Sequence, residues 1–92
     1  MPKDSLGTKM FLAKIYVTLK PTVNDPQGQT VLSSLKTLGF ESAKNVRIGK
    51  YLEVLLGDGN HQSAEEQVTA MCDKLLANPV IEDFRYELIE KN

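Results

Sequence analysis

A chain of 92 residues, 41% hydrophobic and 25% charged, has the composition of one small globular domain with a modest core. Eleven basic residues against 12 acidic ones leave a formal charge of −1 with no long block of either sign, which argues against a nucleic-acid backbone or an anionic membrane surface as partner. A single cysteine, Cys72, excludes an intramolecular disulfide, no cysteine or histidine cluster has metal-ligand spacing, and no apolar run approaches the roughly 20 residues of a membrane span, so a reducing, cytoplasmic setting is expected.

Residues 1–9, MPKDSLGTK, lack periodicity and an apolar signal core and are expected to form a flexible leader, with a single domain over 10–92. Residues 10–20 then alternate. Phe11, Ala13, Ile15, Val17 and Leu19 share one face and Leu12, Lys14, Tyr16, Thr18 and Lys20 the other, which predicts a strand with one buried face. Pro21 ends the strand, because proline cannot donate to a ladder. Asn24, Asp25 and Pro26 predict a helix start, with Asp25 as N-cap and Pro26 in the first helical position. The helix is expected to run to about Leu38, with Val31, Leu32, Leu35 and Leu38 as its apolar stripe and Gly39 as a left-handed C-terminal cap.

Residues 45–56 show a second period of two, with Val46, Ile48, Leu52, Val54 and Leu56 on one face and Lys50 as the misfit. Gly49 suggests a bulge or a tight turn, so one bent strand and a hairpin both fit. Residues 57–60, GDGN, read as a polar loop, and Ser63, Ala64, Glu65 and Glu66 match a capping box that opens a second helix. Val68, Met71, Cys72, Leu75 and Leu76 form its stripe, and Asn78 with Pro79 stops it. A last strand over 80–89 alternates Phe84, Tyr86 and Leu88 against Asp83, Arg85 and Glu87.

The order β-α-β(β)-α-β implies an α+β two-layer sandwich: a small antiparallel or mixed sheet of three or four strands with two helices on one face, ferredoxin-like or related. The other sheet face would display Leu12, Tyr16, Tyr51, Leu55 and Ile89 among Lys14, Thr18, Lys20, Arg47, Glu53, Arg85 and Glu87. That is more apolar and aromatic than a solvated face requires, and a homodimer built through those five residues is expected.

Catalytic chemistry is hard to find. His61 is the only histidine and has no sequence-local partner for acid–base work, while Cys72 falls within an apolar stripe where burial suppresses thiol reactivity. Glu65 and Glu66 are explained by the helix dipole, and GDGN lacks the spacing of a phosphate-binding loop. Tyr16, Tyr51, Phe84 and Tyr86 are not accompanied by the basic surround of an RNA-binding sheet. Lys20, Arg47 and Lys50 could form a small basic spot near strand ends. No catalytic or metal-ligating residue is assigned.

Three segments in order, VTLKPTVNDPQG (17–28), VRIGKYLEV (46–54) and MCDKLLANPVIEDFRYEL (71–88), resemble the PurS family, the small subunits of phosphoribosylformylglycinamidine (FGAM) synthase in purine biosynthesis. The resemblance spans 9–90, with no match claimed over GDGNHQSAEEQV. It implies a non-catalytic adaptor that forms dimers or tetramers and joins a PurL-type synthetase to a PurQ-type glutaminase. The assembled complex would convert formylglycinamide ribonucleotide (FGAR) to FGAM with ammonia released from glutamine. No cofactor is implied on this chain; ATP and magnesium would sit on the synthetase. Partner docking is expected on three loops, through Lys20, Pro21, Arg47, Lys50, Asn78 and Pro79. The alternative reading is a stand-alone, homodimeric α+β domain that binds a small regulatory molecule.

Overall fold

A computed structural model describes residues 9–91 of the chain. The expected leader lies outside these residues except for Lys9, which is the first residue of a strand. In chain order the elements are β1 (Lys9–Leu19), α1 (Pro26–Thr37), β2 (Gly49–Gly59), α2 (His61–Met71) and β3 (Glu82–Lys91). The strands form one antiparallel sheet in the order β2-β1-β3. β1 is central because its alternation supplies a fully apolar row for one face, and Phe11, Ala13, Ile15 and Val17 are all buried there.

The α+β class stands as the sequence implied, and the sheet has three strands. Gly49 begins β2 and pairs with Thr18, so residues 45–56 contain no hairpin; 45–48 are lead-in chain outside the ladder. At its other end β2 runs on through Gly59, where a polar loop was expected. A register shift between Lys9 and Phe11 lets Gly59 pair with Lys9, and ladder bonds formed by the backbone do not depend on how polar the side chains are.

α2 and the turn that follows it lay Ala64, Val68 and Cys72 on the apolar face, against Leu52, Val54 and Leu56 of β2 and Phe84, Tyr86 and Leu88 of β3. It starts two residues before the expected capping box. Asn60 is the N-cap, its side-chain oxygen accepting the Ser63 amide at 2.8 Å, an oxygen as effective for the purpose as a serine hydroxyl. After Met71 the helix widens to π geometry over Cys72–Leu76, and the Ala77 amide bonds the Cys72 carbonyl at 3.0 Å. The wide turn carries Leu75 out of the expected stripe, leaving it 81% exposed, while Cys72 and Ala77 stay inside.

α1 begins and ends as its sequence predicts. Pro26 opens it, Gly39 has φ 101°, and the amides of Gly39 and Phe40 return to Lys36 and Leu35 at 3.0 and 2.9 Å, a Schellman closure. Its placement differs from the expected pair of helices on one face, since among the described elements α2 covers the sheet and α1 does not. Gly28 is the one buried residue of α1, and Val31, Leu38 and Phe40 stand exposed. The described chain extends 57 × 28 × 16 Å with a radius of gyration of 18.0 Å, against ~12 Å for a compact domain of this length. The reason lies in the topology: β1 ends and β2 begins at the same end of the sheet, so 20–48 can leave and return as an arm without crossing the apolar face.

The base of the arm is stitched. Asp25, the only buried charged side chain among the described residues, accepts the Gly28 amide at Oδ1 and the Ile48 amide at Oδ2, each at 2.9 Å. The Arg47 guanidinium donates to the Lys20 carbonyl at 2.8 Å. A Cβ on Gly28 would lie 2.2 Å from the Val46 carbonyl oxygen, so only glycine permits this approach. Gly28→Ala should therefore lower stability by roughly 1–3 kcal/mol in denaturant melts. The amide bonds from Ile48 and then Gly28 hold the Asp25 carboxyl below its ordinary 3.8. Its stabilising contribution is full above that value and is lost as pH falls through the lower folded-state value. Melting temperature should thus fall more steeply below about pH 4 in the wild type than in Asp25→Asn, as thermal melts across that range would show.

Candidate association face

Among the described residues, no helix lies on the sheet face opposite α2. Pairing across the strands arranges its side chains in rows, because residues directly opposite one another in an antiparallel ladder point the same way. Leu12 lies between Leu55 and Ile89, Lys14 between Glu53 and Glu87, Tyr16 between Tyr51 and Arg85, and Thr18 between Gly49 and Asp83. All five residues expected at an interface, Leu12, Tyr16, Tyr51, Leu55 and Ile89, are thereby on one surface. Leu55 is 58% exposed and Tyr51 49%.

The aromatic row is tightly organised. The Tyr16 and Tyr51 rings are 5.0 Å apart at a 42° tilt, and the Arg85 guanidinium carbon sits 3.9 Å over the Tyr16 ring, a cation–π contact. Both phenols are committed to carboxylates in the adjacent row: Tyr16 donates to Glu87 at 3.1 Å and Tyr51 to Glu53 at 2.7 Å. The bond to Glu53, reinforced by burial and by the negative charge, pushes Tyr51 up to about 12. Tyr16 is raised too, first by burial and then by Glu87. Beyond these rings the small residues Thr18 and Gly49 leave a shallow depression of about 370 Å³, flanked by Asp83 and Arg85.

The six residues expected to dock partners gather at the sheet end where the arm departs. The Lys20 amide donates to the Ile81 carbonyl at 2.8 Å, joining the loop after β1 to the turn before β3, and Arg47 bonds the Lys20 carbonyl. Pro21 and Arg47 line one hollow, Lys20 and Pro79 another, and Lys50 lies opposite Val17 nearby. Several of these groups already have internal work. Lys20 pairs with Asp83 at 3.1 Å, while Asn78 shapes its turn, accepting the Val80 amide at 3.0 Å and donating its own amide to Glu82 at 2.7 Å. The expected basic spot is therefore partly neutralised. Pro21, Lys50 and Pro79 remain exposed.

Elsewhere, His61 opens α2, 3.3 Å from Glu65 and edge-on to Phe11 at 5.8 Å between ring centroids. Burial raises the Cys72 thiol, so the thiolate nucleophile is suppressed. Among the described residues no group of three or more His, Cys, Asp or Glu could hold a metal ion, and no helix is long and apolar enough to cross a membrane. The sequence reading missed the apolar surface of the arm, Val31, Leu38 and Phe40. Its signal, a helical stripe, is the same whether the stripe faces a core within the chain or is left open.

One covered face, one open face and a projecting arm define a small α+β module suited to association. The family model for PurS, described as phosphoribosylformylglycinamidine (FGAM) synthase, matches residues 12–90. The phosphoribosylformylglycinamidine synthase subunit PurS of Synechocystis is 48% identical over 78 residues, covering 85% of this chain and 78% of that one. The solved structure of PurS from Bacillus subtilis superposes with a TM-score of 0.78 at 43% identity, covering 86% of this chain and 98% of the other. A chain in the structure of PurLQS from Thermotoga maritima gives a TM-score of 0.80 at 29% identity, covering 97% and 100%. This chain belongs to the PurS family.

The tyrosine geometry predicts a titration. Tyr51 should ionise near pH 12 by ultraviolet difference absorbance, and Glu53→Gln, which removes the acceptor charge, should bring it back toward 10.0.

Proposed function

We infer that this chain is the non-catalytic small subunit of FGAM synthase, acting as the adaptor between a PurL-type synthetase and a PurQ-type glutaminase. Ammonia released from glutamine is then consumed in the conversion of FGAR to FGAM within the assembly. The ATP and magnesium of that reaction reside on the synthetase, and the assembly works in the cytoplasm. The observation that carries this reading is the match of nearly the whole chain to the PurS family, including a chain of PurLQS itself.

The surfaces divide the work. A second copy of this chain covers the open sheet face through Leu12, Tyr16, Tyr51, Leu55 and Ile89 and takes up the apolar side of the α1 arm. The apolar row of Leu12, Leu55 and Ile89, with Leu55 58% exposed, is a poor solvent face and suits the apolar centre of an interface. The loops with Lys20, Pro21, Arg47, Lys50, Asn78 and Pro79 present the end of the sheet to the larger subunits. The alternative of a stand-alone ligand sensor would rest on the depression beside Tyr16 and Tyr51, where both phenols are already bonded to carboxylates. The single domain over 10–92 is the unit that performs all of this.

Two outcomes test the reading. In a mixture of synthetase and glutaminase, omitting this chain should abolish glutamine-dependent FGAM formation while sparing ammonia-dependent formation; equal glutamine rates with and without it would overturn the adaptor role. Leu55→Asp should weaken self-association about tenfold or more by sedimentation equilibrium, because a charge then replaces an interface leucine.

A further inference from the structure

The α1 arm stands clear of the sheet, so its direction must be set at its base. Only a few bonds are available there. The excursion from β1 to β2 leaves after Leu19 and returns at Gly49, and the chain crosses itself where 25–28 meets 46–48. At that crossing the Asp25 carboxylate uses one oxygen for the outgoing helix, at the Gly28 amide, and the other for the returning segment, at the Ile48 amide. An ordinary N-cap needs only the first of these bonds. The second is surplus to capping and ties the helix start to the last residue before β2. The Cα of Gly28 lies under the Val46 carbonyl with no space for a methyl group, which fixes how closely the two segments approach.

We propose that Asp25 is a positioning residue for assembly: its carboxylate clasps the two ends of the arm and sets the angle at which α1 projects from the sheet. This rests on the reading that the chain self-associates through its open face and arm. A rigid arm holds the exposed Val31, Leu38 and Phe40 in a fixed orientation, so association is spared the entropy of ordering a loose arm. The neighbouring Arg47 bond to the Lys20 carbonyl closes the same base from the other side but is exposed to water. The buried bidentate carboxylate is therefore the stronger fastening.

Three variants of the full chain separate the clasp from the cap and from the contact surface. Asp25→Asn puts an amide donor against one of the two backbone donors. Asp25→Ser keeps a capping oxygen for Gly28 but is too short to reach Ile48. Leu38→Asp leaves the clasp alone and spoils the arm surface. Hydrogen exchange and sedimentation equilibrium are read on each. Both Asp25 variants should keep wild-type protection at the β1 amides, lose protection at Ile48 and along α1, and associate about tenfold or more weakly than wild type. Leu38→Asp should also associate weakly, with Ile48 still protected. If either Asp25 variant loosens the arm and associates as tightly as wild type, or if Ile48 stays protected without the carboxylate, the proposal is overturned. Unchanged association of Leu38→Asp overturns it as well, because the arm then makes no contact for Asp25 to position. A wild-type chain that sediments as a monomer sinks the self-association reading and the assembly role with it, whereas an associating wild type matched by its Asp25 variants overturns this proposal alone.

Discussion

The period-two alternation of β1 is the constraint on which the rest of the molecule depends. As the central strand it pairs on both edges, so its register assigns a face to every residue of β2 and β3. Shifting the pairing by one residue would turn Ile15 and Val17 out to solvent and bury Lys14 and Tyr16. The buried row of β1 leaves one position for α2, across Ala64, Val68 and Cys72. The opposite row, by the same geometry, becomes a surface of apolar, charged and aromatic rows that no element of the described chain covers.

That uncovered surface is better explained by assembly than by catalysis. Its two phenols are bonded to carboxylates, Tyr16 to Glu87 and Tyr51 to Glu53, and both are raised above the ordinary tyrosine value, so they stiffen the face and stay protonated at neutral pH. The apolar row of Leu12, Leu55 and Ile89 sits beside them. Burying such a row gains roughly 25 cal/mol for each Å² of apolar surface removed from water, which favours association over solvation. The exposed Val31, Leu38 and Phe40 of the arm add apolar area away from that row. A protein of this design can organise active sites that it does not contain.

Much of this was legible in the sequence wherever local chemistry alone decides the outcome. Asp25, Pro26 and Gly39 mark the ends of α1 because capping and left-handed closure depend on a few adjacent residues. The five residues of the open face follow from counting by two. What could not be read depends on geometry between elements. Gly49 suggests a bulge or a tight turn within 45–56, yet it begins β2, since the ladder starts where Thr18 offers a partner. Asn60 displaced Ser63 as the N-cap because an extended backbone there put its side chain in reach of the Ser63 amide. The π turn after Met71 expelled Leu75 from a stripe that a regular helix would have kept. Most consequentially, the stripe of α1 has the period of a core helix, and nothing in that period tells whether the matching surface belongs to the same chain. Arg47 is a similar case: nothing in its charge tells that its guanidinium also fastens the arm to the Lys20 carbonyl.

The most direct test of the central claim, that this chain acts by bringing other subunits together, is size-exclusion chromatography of the PurL-type synthetase and the PurQ-type glutaminase with and without it, in the presence of glutamine and ATP. The claim predicts that the two larger subunits co-elute only when this chain is present and that it elutes with them. Co-elution of the synthetase and glutaminase to the same extent in its absence would contradict it.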